Sequence, residues 1–184
     1  MKQLLSKAYI VLAAFLMLAI APAAVQAQSQ DDEIAKTTIV KKGDKAPDFT
    51  VEMIDGSKIQ LSKLKGKVVL INFWATWCPP CRAAMKTVDE IKPGLQEKGV
   101  VFVYITGETS PLEKWNEMIP GISGDHYRLT HQQWGELCRS LNIPGIPAYL
   151  ILNKDGSEAY SNLSQGGYPG NDVILNNAEV ALTK

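Results

Sequence analysis

The chain has 184 residues, 46% of them hydrophobic and 21% charged, with 14 Gly and 10 Pro. That composition excludes a disordered, collagen-like or coiled-coil description of the whole, and the length suits one domain with its own core. Nineteen basic residues balance nineteen acidic ones, so there is no cationic excess to neutralise phosphates and no nucleic-acid partner is expected.

Lys2 and Lys7 precede an apolar stretch from Ala8 to Ala21, followed by Pro22 and then Val25-Gln26-Ala27. A basic lead, an apolar centre and a small-residue end have the form of a secretory signal peptide cut after Ala27. An uncleaved anchor is the alternative, because the apolar run through Val25 approaches the roughly 20 residues a membrane span needs. Membrane association is expected only if this segment is retained. Without residues 1–27 the chain keeps 17 basic residues against 19 acidic. Export, here to the periplasm, places the chain in an oxidising compartment where each cysteine is a candidate disulfide partner.

Residues 28–42 are polar and charged, with Asp31, Asp32 and Glu33 in succession, and read as a flexible lead-in to a domain over 43–184. Short alternating stretches around Asp55-Gly56, within residues 43–61, predict a hairpin. Val68–Trp74 (VVLINFW) is a near-continuous apolar run, the pattern of a central strand buried on both faces. A helix is expected over 80–98, kinked by Pro93. Val100–Ile105 predicts a second buried strand. Ser110-Pro111-Leu112-Glu113 predicts a helix start with Ser110 as N-cap, Pro at the first helical position and Glu at the third. Next come a loop with Gly121 and Gly124, a helix over 132–141, and a strand over 148–152. A turn at Asn153–Gly156, a partner strand over 157–161 and a closing helix over 171–182 complete the chain. The order implies an α/β sandwich around a mixed sheet.

The three cysteines are too few for a disulfide scaffold, so their placement decides their meaning. Cys78-Pro79-Pro80-Cys81 follows the strongest strand and opens a helix. One helical turn brings both sulfurs within bonding reach. At the helix N-terminus, free N–H groups and a partial positive charge favour the Cys78 thiolate, lowering its pKa below the free value of about 8.5. Cys81, one turn further in, is the natural resolving thiol. Pro79 and Pro80 fix the loop and remove competing donors. A static disulfide is one alternative, although so small a loop removes little chain entropy. Half of a zinc site is another, but Cys138, His126 and His131 lack paired spacing, so no metal is expected. Trp134, Leu137, Cys138 and Leu141 share one helical face, which predicts Cys138 as a buried, inert thiol; a third redox cysteine is the sharper alternative. His126 and His131 read as loop or cap residues.

Phe73–Cys81 (FWATWCPPC) after VVLIN resembles the active site of the thioredoxin superfamily. Gly43–Phe49 and Leu61–Lys67 are similar to the lead-in of its TlpA/ResA-like branch, close to the AhpC/TSA proteins. Ile143–Ala148 (IPGIPA) resembles the loop that carries the superfamily's cis-proline. The resemblance implies a thioredoxin-like fold, a mixed central sheet flanked by helices, with an N-terminal hairpin extension. It implies that Pro147 is cis, that Ile146 offers backbone groups to a client peptide, and that Trp77 shields the disulfide over a packed Trp74. Trp77, Pro79, Ile146 and Pro147 are thus the expected substrate-binding residues. Thioredoxins carry a buried Asp where this chain has Asn72, which cannot take a proton. In the TlpA/ResA-like branch a hairpin Glu fills that role, and Glu52 matches it; the alternative is an exposed strand carboxylate. Glu108 follows the second strand and is given no catalytic role.

These readings lead to an exported thiol–disulfide oxidoreductase acting through the Cys78–Cys81 pair, with Glu52 moving the proton. No cofactor is expected. Partners would be client proteins and a membrane-bound electron donor, with apocytochromes c among clients implied by the resemblance, and a monomer is expected. The absence of a charged residue between the cysteines leans toward a reductant; an oxidant that installs disulfides is the alternative. Peroxidase chemistry fits poorly, because the P-x-x-x-T-x-x-C pattern is missing. A peptide-binding domain with a fixed disulfide is the non-enzymatic alternative.

Overall fold

A computed structural model describes residues 50–52 and 58–184 of the chain. The signal-like segment, the lead-in and the Asp55-Gly56 turn lie outside the described residues. β1 (Thr50–Glu52) pairs antiparallel with β2 (Lys58–Gln60), with Thr50 opposite Gln60 and Glu52 opposite Lys58, so the expected hairpin forms. A 3-10 turn over Leu61–Leu64 leads on.

The centre of the domain is β3 (Val69–Phe73), all five residues of which are buried. β4 (Val101–Gly107) lies parallel on one side of it, and β6 (Ala148–Leu152) antiparallel on the other. β5 (Asp125–Leu129) extends the sheet parallel to β4, and β7 (Glu158–Ser161) closes the opposite edge antiparallel to β6. The order is β5-β4-β3-β6-β7. Side chains alternate across β3. Val68, Leu70 and Trp74 enter one core, Val69, Ile71 and Phe73 the other. With both faces covered, the strand needs no polar side, which explains its continuous apolar run.

The first core is roofed by α1 (Pro79–Val88), α2 (Lys92–Glu97) and α5 (Asn171–Leu182), with Trp115 of α3 (Leu112–Met118) beside them. The second is covered by α4 (His131–Ser140) through Leu137, with Trp134 and Cys138 packed against it. Thr130 caps α4 reciprocally with Gln133, each bonding the other's backbone N–H.

Four expectations need correction. The helix over 80–98 is two helices. α1 ends at Val88, and α2 restarts with Pro93 in its first turn, where a missing N–H costs nothing. Lys92 at the junction is buried, its Nζ 2.6 Å from Asp89 Oδ1 and 5.2 Å from the centre of the Tyr104 ring. Ser110 is not a helix cap: Pro111 holds the N-cap position of α3, and the Ser110 hydroxyl turns inward. The segment after Gly124 is not loop but the strand β5, hidden in the sequence by Asp125, His126 and Arg128. Cys138 is half-buried rather than buried.

Candidate active site

β3 delivers the chain to the site. Trp74 N–H donates to Ile105 O across the sheet edge, and a tight turn follows in which Cys78 N–H donates to Ala75 O at 3.1 Å. Cys78 is the N-cap of α1, with extended φ/ψ of −92° and 99°. Its Sγ accepts the N–H of Cys81 at 3.2 Å, satisfying one orphan donor of the first turn. Pro79 and Pro80 occupy the first helical positions, and both are exposed. Cys78 and Cys81 are joined, with S–S 1.98 Å and Cα–Cα 5.3 Å. Cys81 is fully buried, and Cys78 is 3% exposed. Any partner must therefore reach Cys78, the outer sulfur. On reduction, the Cys81 amide and the helix N-terminus face that sulfur, and both stabilise a thiolate.

The Ile146–Pro147 bond is cis. Ile146 O lies 3.9 Å from Cys78 Sγ, and Pro147 O accepts the N–H of Gly167 at 2.7 Å, which ties this loop to the segment before α5. Trp77 is 57% exposed, whereas Trp74 is fully buried beneath it in the chain. The Trp77 ring is more than half open to solvent, while both sulfurs lie in the core cluster that also holds Trp74, Ala75 and Met85. Glu52 ends β1, and its side chain lies outside the described residues.

Asn72 is buried at the centre of β3, flanked in register by Tyr104 on β4 and Tyr149 on β6. Burial pushes both tyrosine hydroxyls far above the usual phenol range. Asn72 Oδ1 has no hydrogen-bond partner among the described residues. This row lies on the same side of the sheet as α1 and the two sulfurs.

The sequence reading missed a buried polar brace beside the dithiol turn. Thr76 N–H donates to Ser110 Oγ at 3.0 Å, and Ser110 Oγ lies 2.7 Å from Thr106 Oγ1. Arg128 Nε donates to Ser110 O at 2.7 Å. No local pattern signals these contacts, because the partners are 34 and 18 residues apart. Glu108 points elsewhere: its Oε2 accepts the N–H of His131 at the start of α4. Burial pushes the Cys138 thiol up to about 11. Among the described residues, no three His, Cys, Asp or Glu side chains come together around a metal-sized space.

A helix-capping cysteine pair at the end of a central strand, edged by a cis-proline loop, is the site of a thioredoxin-like protein. The chain belongs to the Redoxin family, whose model matches residues 41–174, and within it is ResA-like. The thiol-disulfide oxidoreductase ResA of Bacillus thuringiensis subsp. konkukian is 31% identical over 118 residues, covering 62% of this chain and 65% of that protein. The thioredoxin-like protein YneN of Bacillus subtilis is 43% identical over 121 residues, covering 64% of this chain and 68% of that one. The thioredoxin domain of a thiol-disulfide oxidoreductase from Bacteroides vulgatus has the same fold, with a TM-score of 0.65 at 21% identity over 78% of this chain and 99% of that one. The match to ResA thus spans just under two thirds of that relative's length.

Proposed function

We propose that the protein is a thiol–disulfide oxidoreductase that exchanges electrons with protein clients through Cys78 and Cys81. The observation that carries the reading is the sulfur of Cys78 at the head of α1, accepting the Cys81 N–H. The names of the relatives, oxidoreductases acting on thiols and disulfides, support it.

In the reducing direction, the Cys78 thiolate attacks one sulfur of a client disulfide and expels the other as a thiolate. Cys81 then loses its proton and attacks Cys78 Sγ. The Cys78–Cys81 disulfide forms, the client leaves with both sulfurs reduced, and two electrons have moved to it. Glu52 is the proposed acceptor of the Cys81 proton, since Asn72 cannot take one. Trp77, Pro79, Ile146 and Pro147 are the proposed docking residues. They lie in the two loops that meet at Cys78. A membrane-bound donor would restore the dithiol. The signal-like pattern of residues 1–27 supports export to the periplasm, and the protein would act as a monomer.

The test is the reduction potential, measured by counting thiols after equilibration in glutathione or dithiothreitol buffers. A value near about −270 mV supports a reductant, and one near about −120 mV an oxidant. A pair that never exchanges would refute the enzymatic reading and leave a binding domain with a fixed disulfide.

A further inference from the structure

We infer that Ser110 is a positioning residue of the dithiol site, holding the Cys78 thiolate in place through the backbone amide of Thr76. This rests on the thiol–disulfide reading above. The turn Ala75–Cys78 has two corners. The second, Trp77, is more than half exposed. The first is Thr76, and its N–H is pinned at 3.0 Å by a hydroxyl from the loop that follows β4. With Cys78 N–H closing the turn on Ala75 O, this pin is the side-chain contact that fixes where the turn sits, and with it the alignment of Cys78 Sγ on the Cys81 N–H.

The pin is itself held from two directions. Ser110 and Thr106 are fully buried, and their hydroxyl oxygens are 2.7 Å apart. With Ser110 Oγ accepting from Thr76, its own proton is free to go to Thr106 Oγ1. From β5, Arg128 donates through Nε to Ser110 O and through Nη2 to Glu108 O at 3.3 Å. Arg128 is buried, and none of the ion pairs among the described residues includes it. Placing a buried guanidinium on two backbone carbonyls is a costly way to fasten a loop. It makes sense where the loop must present one hydroxyl at one point.

Without the Ser110 hydroxyl, the buried Thr76 amide has no partner and the turn relaxes to reach one. Cys78 Sγ then drifts from the helix N-terminus. The thiolate loses stabilisation, and the dithiol form loses it too. A less stable reduced form makes the couple more reducing.

The experiment compares wild type, Ser110→Ala, Thr106→Val and Thr106→Ser in the full chain. Thiolate absorbance against pH gives the Cys78 pKa, glutathione equilibration gives the potential, and urea unfolding of both redox forms gives stability. Ser110→Ala is expected to raise the Cys78 pKa and shift the glutathione equilibrium about three- to tenfold toward the disulfide, roughly 15 to 30 mV more negative. Thr106→Val shifts both the same way by less, and carries the same readout if Ser110→Ala does not fold. Thr106→Ser keeps the hydroxyl and stays at the wild-type values. If the variants lose stability equally in both redox forms while pKa and potential hold, Ser110 is only structural and the inference is wrong. A wild type that never exchanges would overturn the exchange reading and this role together; a wild type that exchanges beside unshifted variants would overturn this role alone.

Discussion

The sulfur of Cys78 lies 3.9 Å from the carbonyl oxygen of Ile146, 68 residues further along the chain. The two belong to different loops, and each limits what the other can do. In the disulfide the sulfur carries no proton. After reduction a thiol there has an acceptor in reach, whereas a thiolate meets a carbonyl dipole that opposes the pull of the helix N-terminus.

The division of labour between the sulfurs predicts opposite outcomes for two variants. Cys78→Ser is expected to reduce exchange to the uncatalysed background, because the remaining sulfur is fully buried. Cys81→Ser keeps the outer nucleophile but removes the resolving thiol, so a one-to-one mixed disulfide with a model client should accumulate. Non-reducing electrophoresis and intact mass distinguish the two. Trapping by Cys78→Ser instead would reverse the assignment.

Cys138 is expected to be slow toward alkylating agents in the folded protein. With its thiol pushed up to about 11 by burial, the thiolate fraction at pH 8 is lower by on the order of a hundredfold than for a free cysteine. Iodoacetamide labelling of the oxidised protein, with and without urea, measures the ratio. Equal rates in the two conditions would show an accessible thiol.

His126 ties stability to acid. Its Nε2 bonds Ile122 O at 2.7 Å, its ring stacks on Tyr104 at 4.9 Å, and its Nδ1 is buried without a partner among the described residues. Burial lowers its pKa below 6.5, and the nearby Lys92 cation adds to that; the Ile122 carbonyl and Asp125 pull the other way. The unfolded chain therefore takes up the proton first. The contribution of His126 is complete above pH 6.5 and is lost as pH falls below it. Urea midpoints from pH 7.5 to 5 should fall for wild type and fall less for His126→Gln. Parallel curves would remove His126 from the account.

Gly124 and Gly156 both have positive φ, of 134° and 84°, yet substitution should cost them differently. An added Cβ at Gly124 would sit 2.8 Å from Phe102 O, a backbone atom that cannot step aside, whereas at Gly156 nothing lies within 4 Å. Gly124→Ala is expected to cost about 2–4 kcal/mol through strain and overlap together. Gly156→Ala should cost about 1 kcal/mol, from the backbone conformation alone. Thermal or urea unfolding of the pair gives the comparison, and equal losses would refute it.

What the sequence made legible follows from what it can carry. β3 and β4 announce themselves because strands buried on both faces must be apolar throughout. The junction at Cys78 is legible because a strand end, a helix cap and two prolines are all local features. β5 was not, since the polar side chains that disguise it find their partners off the strand: His126 on Ile122 O, Arg128 on the carbonyls of Glu108 and Ser110. Ser110 followed by proline has the local form of a helix cap, but its hydroxyl is taken by an amide 34 residues away. Pro93 permits either a kink or a fresh helix start, so the break after Val88 has no local signature; the burial of Lys92 at the junction belongs to tertiary packing.

The pairing of β3 with β6 sets Phe73 against Ala148, closing a loop that contains α1, α2, β4, α3, β5 and α4. Cys78 and Cys81 are three residues apart and can meet in a nascent chain long before that closure. Ile146 arrives beside the sulfur only with β6. Until then the cysteine pair of the growing chain is an ordinary dithiol, open to whatever oxidant it encounters. It takes on its own surroundings only when the last third of the domain has docked.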